Sequence, residues 1–464
     1  MQLENTKTVL DGRKYPRGSE LVEFIAGAAG RTYPEPVREA ARQAFADYIA
    51  VAIGAIDDTP TKAVAAMASS WNAEGYATVF TKYQTTPALA ALVNGTAAHS
   101  QDYDDTHAGG AGHPSGPVWS TAIALGEHLD RSEEEVFSAY ITGYEVMAKL
   151  CGGGPSGIGR TMQRKGFHPT SIGGRAGAAA AAAVLYKLDK DQIASALGVA
   201  ATTAGGLIGS FGSHSKPFHS GVAAMDGIQA AQLAKNSFEA AKGLYELEGG
   251  IISAFARDEA TDIPKTAELG QNWEILRNGF KLFASCRATH PAVETALKAR
   301  ELVNGDYSNI AKVHVKAGRQ ALVTAGKTEF NTGLDCKFSV AFCVAMALFG
   351  YQLLPSDFTN ELLENAPLNA LAQRVHVEPV SNQTPGEAHI EITLKNGETL
   401  NASTIVMRGH PDNPLDWSEI EGKFNSLVVD KIGTEKAARL FELARNIDAS
   451  GSLVQISKIL QPIA

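Results

Sequence analysis

Between His99 and Gly116 the chain concentrates groups that titrate, coordinate and hydrogen-bond. His99, Asp102, Asp104, Asp105, His107 and His113 fall within fifteen residues, and Ala108–Gly112 ahead of His113 is glycine-rich. Imidazoles move protons near neutral pH, carboxylates orient them, and a glycine-rich loop lets backbone approach a ligand. The same residue types bind metals. The calcium-loop pattern fails, because counting from Asp102 the sixth position is His107 rather than Gly, and the twelfth is His113 rather than Glu. The histidine spacing is not that of a helical zinc site either, so no metal is expected. A plainer reading makes one or two of the aspartates caps for backbone N–H groups at a helix end.

Three further clusters carry cations or imidazoles. Gly166–Gly174 puts His168 at the entry to a helix, where free N–H groups and the helix dipole favour an anion. Gly212–Gly221 carries Lys216 between His214 and His219, and Phe280–Pro291 carries Lys281, Cys286, Arg287 and His290. Each also has an ordinary reading: a first-turn surface histidine, a solvated lysine in a turn, a structural cysteine. Cys286 beside cations has the setting of a nucleophile, but no Cys-His-Asn pattern is readable, and the structural reading is preferred. Gly152, Gly154 and Gly157 match G-x-G-x-x-G but follow a helical stretch instead of a strand, so no dinucleotide site is expected.

The elements that must position these groups are mostly helices. Val37, Ala41, Ala44, Phe45, Tyr48 and Ala52 lie on one helical face. Thr86-Pro87 reads as an N-cap followed by proline in the first turn. Ser132 with Glu135, and Asp189 with Gln192, start two more helices. Six consecutive alanines in Ser171–Tyr186 favour a helix that neighbours can approach closely, and the glycines at Gly152–Gly154 with Pro155 break the one before it. After about residue 285 strand alternation appears at Lys312–Lys316, Arg374–Glu378 and His389–Lys395. Asn396-Gly397 predicts a type I′ hairpin turn there. Helices recur at Pro291–Val303 and Phe338–Phe349. The fold class is therefore mainly α: a large helical domain from residues 1–284 and 409–464, with a smaller α+β domain at 285–408. The cleft between them is the default binding site.

Composition bounds the function. The 464 residues carry 41 Lys+Arg against 50 Asp+Glu, a net charge of −9, which gives no basic footprint for nucleic acid. No apolar run has the length of a membrane span, and the polar N-terminus lacks a secretion-type apolar segment. Four unpaired-looking cysteines suit reduced thiols and a cytoplasmic protein.

Seven stretches in order, NGTAAHSQDYDDTH, GHPSGPVWSTAIALGE, GFHPTSIGGRAGAAAAAAVLYKLD, SKPFHSGVAAMDGIQAAQLA, FKLFASCRATHPAVETALK, LDCKFSVAFCVAMAL and RGHPDNPLDWSEIEGKF, resemble the MmgE/PrpD family. That family includes 2-methylcitrate dehydratase, cis-aconitate decarboxylase and iminodisuccinate epimerase. The resemblance implies a large helical domain with an α+β lid, a homodimer, and chemistry without a cofactor on a small di- or tricarboxylate. By motif it implies a pocket of Asp102, Thr106, His113, His168, Lys216 and Lys281. His113 or His168 would be the acid/base, with Asp102, Lys216 and Lys281 as its catalytic companions. Thr106, with Arg287, His290 and His219, would hold substrate. Within the family a dehydratase is ranked first. The decarboxylase branch is expected to bring an aromatic hydroxyl from the lid, and Phe330 is the only aromatic residue in Gly318–Leu334. Epimerisation and decarboxylation are the alternatives, and a carboxylate-binding protein without turnover is the reading outside enzymes.

Overall fold

Glycine and alanine let the helices touch backbone to backbone, and this sets the architecture. The computed structural model describes residues 18–110, 112–152, 157–245, 249–256, 268–384 and 386–461. Its principal helices are α1 (Glu35–Gly54), α2 (Pro87–Ser100), α3 (Ser115–His128), α4 (Glu133–Cys151), α5 (Pro169–Tyr186), α6 (Lys190–Thr202) and α7 (Ser215–Lys235). Then follow α8 (His290–Leu302), α9 (Val340–Phe349), α10 (Trp417–Ile432), α11 (Thr434–Arg445) and α12 (Ser452–Leu460). The fold is mainly α. No helix among the described residues is long and apolar enough to cross a membrane.

The face predicted on α1 is buried throughout, and from Ala44 to Gly54 every residue is buried. This helix is interior because α2 lies on one side and the C-terminal helices α10 and α11 return to pack on the other. Helix α7 packs on both α2 and α5. A Cβ added at Gly221 of α7 would lie 2.2 Å from the Leu92 carbonyl oxygen of α2. Only glycine permits that approach. A Cβ at Gly143 of α4 would likewise lie 2.5 Å from the Gly177 carbonyl of α5. We expect Gly221→Ala to lower Tm by forcing α2 and α7 apart, read by thermal melting. An unchanged Tm would contradict this packing.

The capping boxes at Ser132/Glu135 and Asp189/Gln192 form as expected. Thr86 precedes a helix that starts with Pro87, but its side chain makes no cap bond. The expected break begins where predicted, since α4 ends at Cys151 with Gly152 as its C-cap; Gly153, Gly154 and Pro155 lie outside the described residues.

The strands β1 (Ile310–Gly318), β2 (Val375–Val380), β3 (Ala388–Leu394) and β4 (Thr399–Thr404) form one sheet in the order β2-β1-β3-β4. β1 and β2 are parallel and the other pairs antiparallel. Helix α8 packs on β3 and β4, and α9 on β2. The β3–β4 hairpin differs from the expected type I′ turn. Gly397 alone has positive φ, at 89°. The Leu394 carbonyl accepts from Gly397 N at 2.9 Å, and the Glu398 carbonyl from Leu394 N at 2.8 Å. This is a three-residue loop closed by a left-handed glycine. Asn396 instead accepts from Glu398 N through its side chain, at 2.9 Å.

Candidate active site

Helix ends supply most of the site. His99 sits in the last turn of α2, His168 is the N-cap of α5, and Lys216 is the second residue of α7. Asp102 follows α2 with φ at 52°, a left-handed conformation that costs an ordinary residue about 1–2 kcal/mol. Contacts on both sides of the loop hold it there. Lys281 Nζ donates to the Asp102 carbonyl at 2.7 Å and to its Oδ1 at 2.8 Å, and Lys216 Nζ donates to the same Oδ1 at 2.8 Å. Lys281 reaches this position because Thr106–His107 pairs antiparallel with Asn278–Gly279, which zips the first cluster to the fourth. From the opposite end of the chain, Lys423 of α10 donates to Asp47 Oδ1 at 2.6 Å and to the Tyr103 carbonyl at 2.7 Å.

The hub of the network is His99. Its Nδ1 lies 2.8 Å from Asp104 Oδ2, and its Nε2 lies 3.0 Å from Lys216 Nζ. A lysine ammonium only donates, and an ionised carboxylate only accepts. Nδ1 therefore carries the proton and Nε2 is the acceptor. Asp104 also reaches a second ring, with Oδ1 3.3 Å from His113 Nδ1. The result is a buried chain, Asp104–His99–Lys216–Asp102–Lys281, with His113 on its outer carboxylate oxygen.

Electrostatics set the protonation states. Burial alone would raise the Asp102 carboxyl, but Lys216 and Lys281 outweigh it and hold it well below the usual carboxylate range. Asp104 is likewise held well below by His113 and His99 against burial. Burial pushes His99 down to about 3 despite Asp104, and it lowers His113. His168 lies well below the ordinary imidazole value, from burial first and Lys216 second. Three neutral imidazoles thus stand beside ammonium groups.

The sign of the consequence follows. Between about pH 6.5 and 3 an unfolded His99 binds a proton that the folded one refuses, so its contribution to stability is lost as pH falls. Asp105 and Glu145, both raised to about 7 chiefly by burial, act in the opposite direction on the whole protein. The clean readout is therefore a difference. The gap in unfolding free energy between wild type and His99→Asn should shrink as pH falls from about 7.5 to 5. A pH-independent gap would contradict a neutral His99.

Asp102, Thr106, His107, His113, His168, Phe211 and Lys216 line a cavity of about 520 Å³, with Arg160, Gln163, Cys286 and Arg287. Thr106 Oγ1 and Asp102 Oδ2 are buried with no protein partner, and this leaves them for a ligand. Arg160 bonds Gln163 Oε1 at 3.1 Å, and Arg287 bonds the carbonyls of Phe280 and Gly409 at 2.7 and 2.9 Å. Neither has a carboxylate partner among the described residues. Burial pushes both guanidinium groups down to about 10. Buried guanidinium groups of this kind pair favourably with an anion.

Several expected residues sit elsewhere. Lys281 is fully buried behind Asp102 and does not line the cavity, so its contact is with Asp102 instead of a ligand. His290 is turned away. Its Nε2 lies 3.3 Å from the Ser285 carbonyl and its ring packs on Phe283, because it opens α8 and folds back on the preceding turn. His219 does not line the cavity either, but its Nδ1 lies 3.0 Å from His168 Nδ1. Asp105 is a structural acceptor. Its Oδ2 takes Ser115 Oγ at 2.5 Å and Asn278 Nδ2 at 2.8 Å. The four cysteines are free and buried, and burial pushes the Cys286 thiol up, away from a nucleophile. From the sequence alone His99 and Arg160 have no individual role, and Asp104 only that of a metal ligand beside Asp102 and His113 in a metal-dependent alternative. The position of His99 at a helix end beside Asp102 was the available signal.

His99, Asp102, Asp104 and His113 bring ligand-type atoms within 4.8 Å of one another. A divalent ion fits this set poorly. Both His99 nitrogens are engaged, Asp102 is already balanced by Lys216 and Lys281, and Asp104 is bonded to His99. An added ion would bring unbalanced charge next to two ammonium groups.

The MmgE/PrpD N-terminal domain matches residues 19–263, and the MmgE/PrpD C-terminal domain matches residues 283–449. The chain is 28% identical to the cis-aconitate decarboxylase of Homo sapiens over 378 residues, 78% of this chain and 77% of that protein. It is 28% identical to the cis-aconitate decarboxylase of Aspergillus terreus over 475 residues, 96% of this chain and 95% of that one. A cis-aconitate decarboxylase-like protein of Aspergillus oryzae is 22% identical over 470 residues, 95% and 96% of the two chains. The helical fold, the ordered motifs and these matches agree: the chain belongs to the MmgE/PrpD family and is an enzyme of the lyase class.

Proposed function

We propose that the chain decarboxylates a small unsaturated tricarboxylate of the cis-aconitate type. The observation that carries this reading is the buried Asp104–His99–Lys216–Asp102 chain. It is set in the wall of a cavity that also holds two arginines with no carboxylate partner among the described residues. Arg160, Arg287 and Lys216 bind the carboxylates. The bond to one carboxylate breaks, and its electron pair becomes a new C=C bond. The electrons of the old double bond move to the carbon beside a second carboxylate, which takes up one proton. Lys216, held in place by His99 and Asp102, stabilises the charge that develops there, and His168 gives the proton. In the empty cavity His168 is neutral. The same reading keeps residues 285–408 as a lid and a homodimer as the assembly.

The sequence reading ranked dehydration first. The relatives above carry the name of the decarboxylase, which supports the reverse order. One observation still favours a hydroxy acid such as 2-methylcitrate: Asp102 Oδ2 lacks a donor, and a substrate hydroxyl would supply one. Proton NMR with cis-aconitate, 2-methylcitrate, citrate and iminodisuccinate separates these outcomes. The expected result is an unsaturated dicarboxylate and CO2 from cis-aconitate. Water loss from 2-methylcitrate without CO2 would overturn decarboxylation in favour of dehydration. Loss of a C–H signal in D2O without a new alkene would mean epimerisation.

A further inference from the structure

Decarboxylation as written consumes a proton: a tricarboxylate and one proton become an unsaturated dicarboxylate and CO2. That proton must enter a cavity that substrate fills. His168 is 1% exposed, so with substrate in the cavity it cannot reload directly from bulk water. Its Nδ1, however, lies 3.0 Å from Nδ1 of His219, which is half-buried and sits one turn beyond Lys216 on α7. Two imidazole Nδ1 atoms at this distance require one ring to donate and the other to accept. Either assignment fits, and they interconvert when one proton joins the first ring, one crosses the contact and one leaves the second ring.

We propose that His219 is the proton inlet of the site, passing protons from solvent to His168; the inference rests on His168 being the proton donor of the functional reading. The step balances as follows. A solvent proton bonds to His219 Nε2 while the His219 Nδ1 proton passes to His168 Nδ1. The His168 Nε2 proton passes to the substrate carbon. Both rings are neutral before and after, each in its other tautomer; once product leaves, water in the open cavity returns a proton to His168 Nε2, the Nδ1 proton passes back to His219 Nδ1, and His219 Nε2 gives one up to solvent. The surroundings suit a conduit over a store. Lys216 and Arg175 face His219, while Lys216, His99 and His113 face His168. Arg175 is held by Asp226 at 2.7 Å, and the Gly206 carbonyl accepts from His168 N at 3.1 Å. Burial with Lys216 and Arg175 pushes His219 down to about 4, so neither ring keeps a proton. His219 acts through His168 and touches no substrate, which makes it a positioning and relay residue.

The test is His219→Gln, an amide that still bonds His168 but passes no proton. The expected result is a kcat lower by about 10²-fold, with KM changed by less than about threefold. The solvent deuterium isotope effect on kcat should rise, and added imidazole should restore part of kcat in His219→Ala. Unchanged kcat and isotope effect would overturn the relay. So would a loss that imidazole does not rescue, which marks a structural role. Should wild type convert none of the acids, the functional reading fails by itself. Ring ¹⁵N spectra of His168 and His219 need no turnover and then decide the relay. Nδ1 signals averaged between protonated and bare values support it, and two fixed values overturn it.

Discussion

Replacing Lys216 with methionine is expected to lower kcat by about 10²–10³-fold. Methionine keeps much of the side-chain volume and removes the ammonium. Lys216 sits in the first turn of α7, where the helix dipole disfavours a cation. Its 2.8 Å bond to Asp102 and 3.0 Å bond to His99 hold it there. Among the described residues it is the one lysine that both lines the cavity and joins the buried chain. Without it His99 Nε2 loses its donor, and no ammonium remains at the cavity wall for developing negative charge. Lys216→Arg should restore part of the activity, since the charge survives while the geometry changes. Lys281→Met should act differently. Lys281 is fully buried behind Asp102, and removing it leaves that carboxylate with one cation instead of two. Its main effect should be a lower Tm, of the size expected for a broken buried ion pair, about 3–5 kcal/mol. Wild-type kcat in Lys216→Met would remove Lys216 from the mechanism.

Asp104→Asn should lower kcat by at least about 10²-fold with little change in size or packing. Asp104 turns one oxygen toward each of two imidazoles: Oδ2 is hydrogen-bonded to His99 Nδ1 at 2.8 Å, and Oδ1 lies 3.3 Å from His113 Nδ1, an electrostatic contact without hydrogen-bond geometry. An amide presents one donor face and one acceptor face, so it cannot turn an acceptor toward both rings. One ring must then change tautomer. If that ring is His99, an Nε2 proton points at the Lys216 ammonium and the chain opens. If it is His113, the nitrogen left toward the cavity changes from acceptor to donor. The pH profile of kcat should shift as well, because Asp104 opposes the burial that lowers both histidines. A pH profile and kcat equal to wild type would show that the shared carboxylate does not set the tautomers.

Much of the frame was legible because it is written locally. The capping boxes at Ser132 and Asp189 and the alternation of β1, β2 and β3 depend on residues a few positions apart. The four polar clusters were legible as clusters. Their convergence was not, because it rests on long-range contacts with no local signal. The two-residue ladder from Thr106–His107 to Asn278–Gly279 is one, and the backbone contact of Gly95 on α2 with Gly221 on α7 is another. His99 shows the same limit. As sequence it is a polar residue ending an apolar helix, and only the arrival of Lys216 from α7 makes it a hub. His290 errs in the opposite direction. Its neighbours Lys281 and Arg287 suggested convergence, but as the first residue of α8 its ring turns back to the Ser285 carbonyl. The Asn-Gly turn was assigned its commonest two-residue form, while the register at Leu394 and Glu398 leaves room for three.

The central claim is that this buried imidazole and lysine network removes CO2 from an unsaturated tricarboxylate without a metal. Chelator-treated protein given cis-aconitate in D2O, followed by proton NMR with CO2 quantified, tests it most directly. The account predicts one CO2 per acid consumed, and one deuterium on the carbon that loses the double bond. An inert chelator-treated protein whose turnover returns on adding a divalent ion would contradict it.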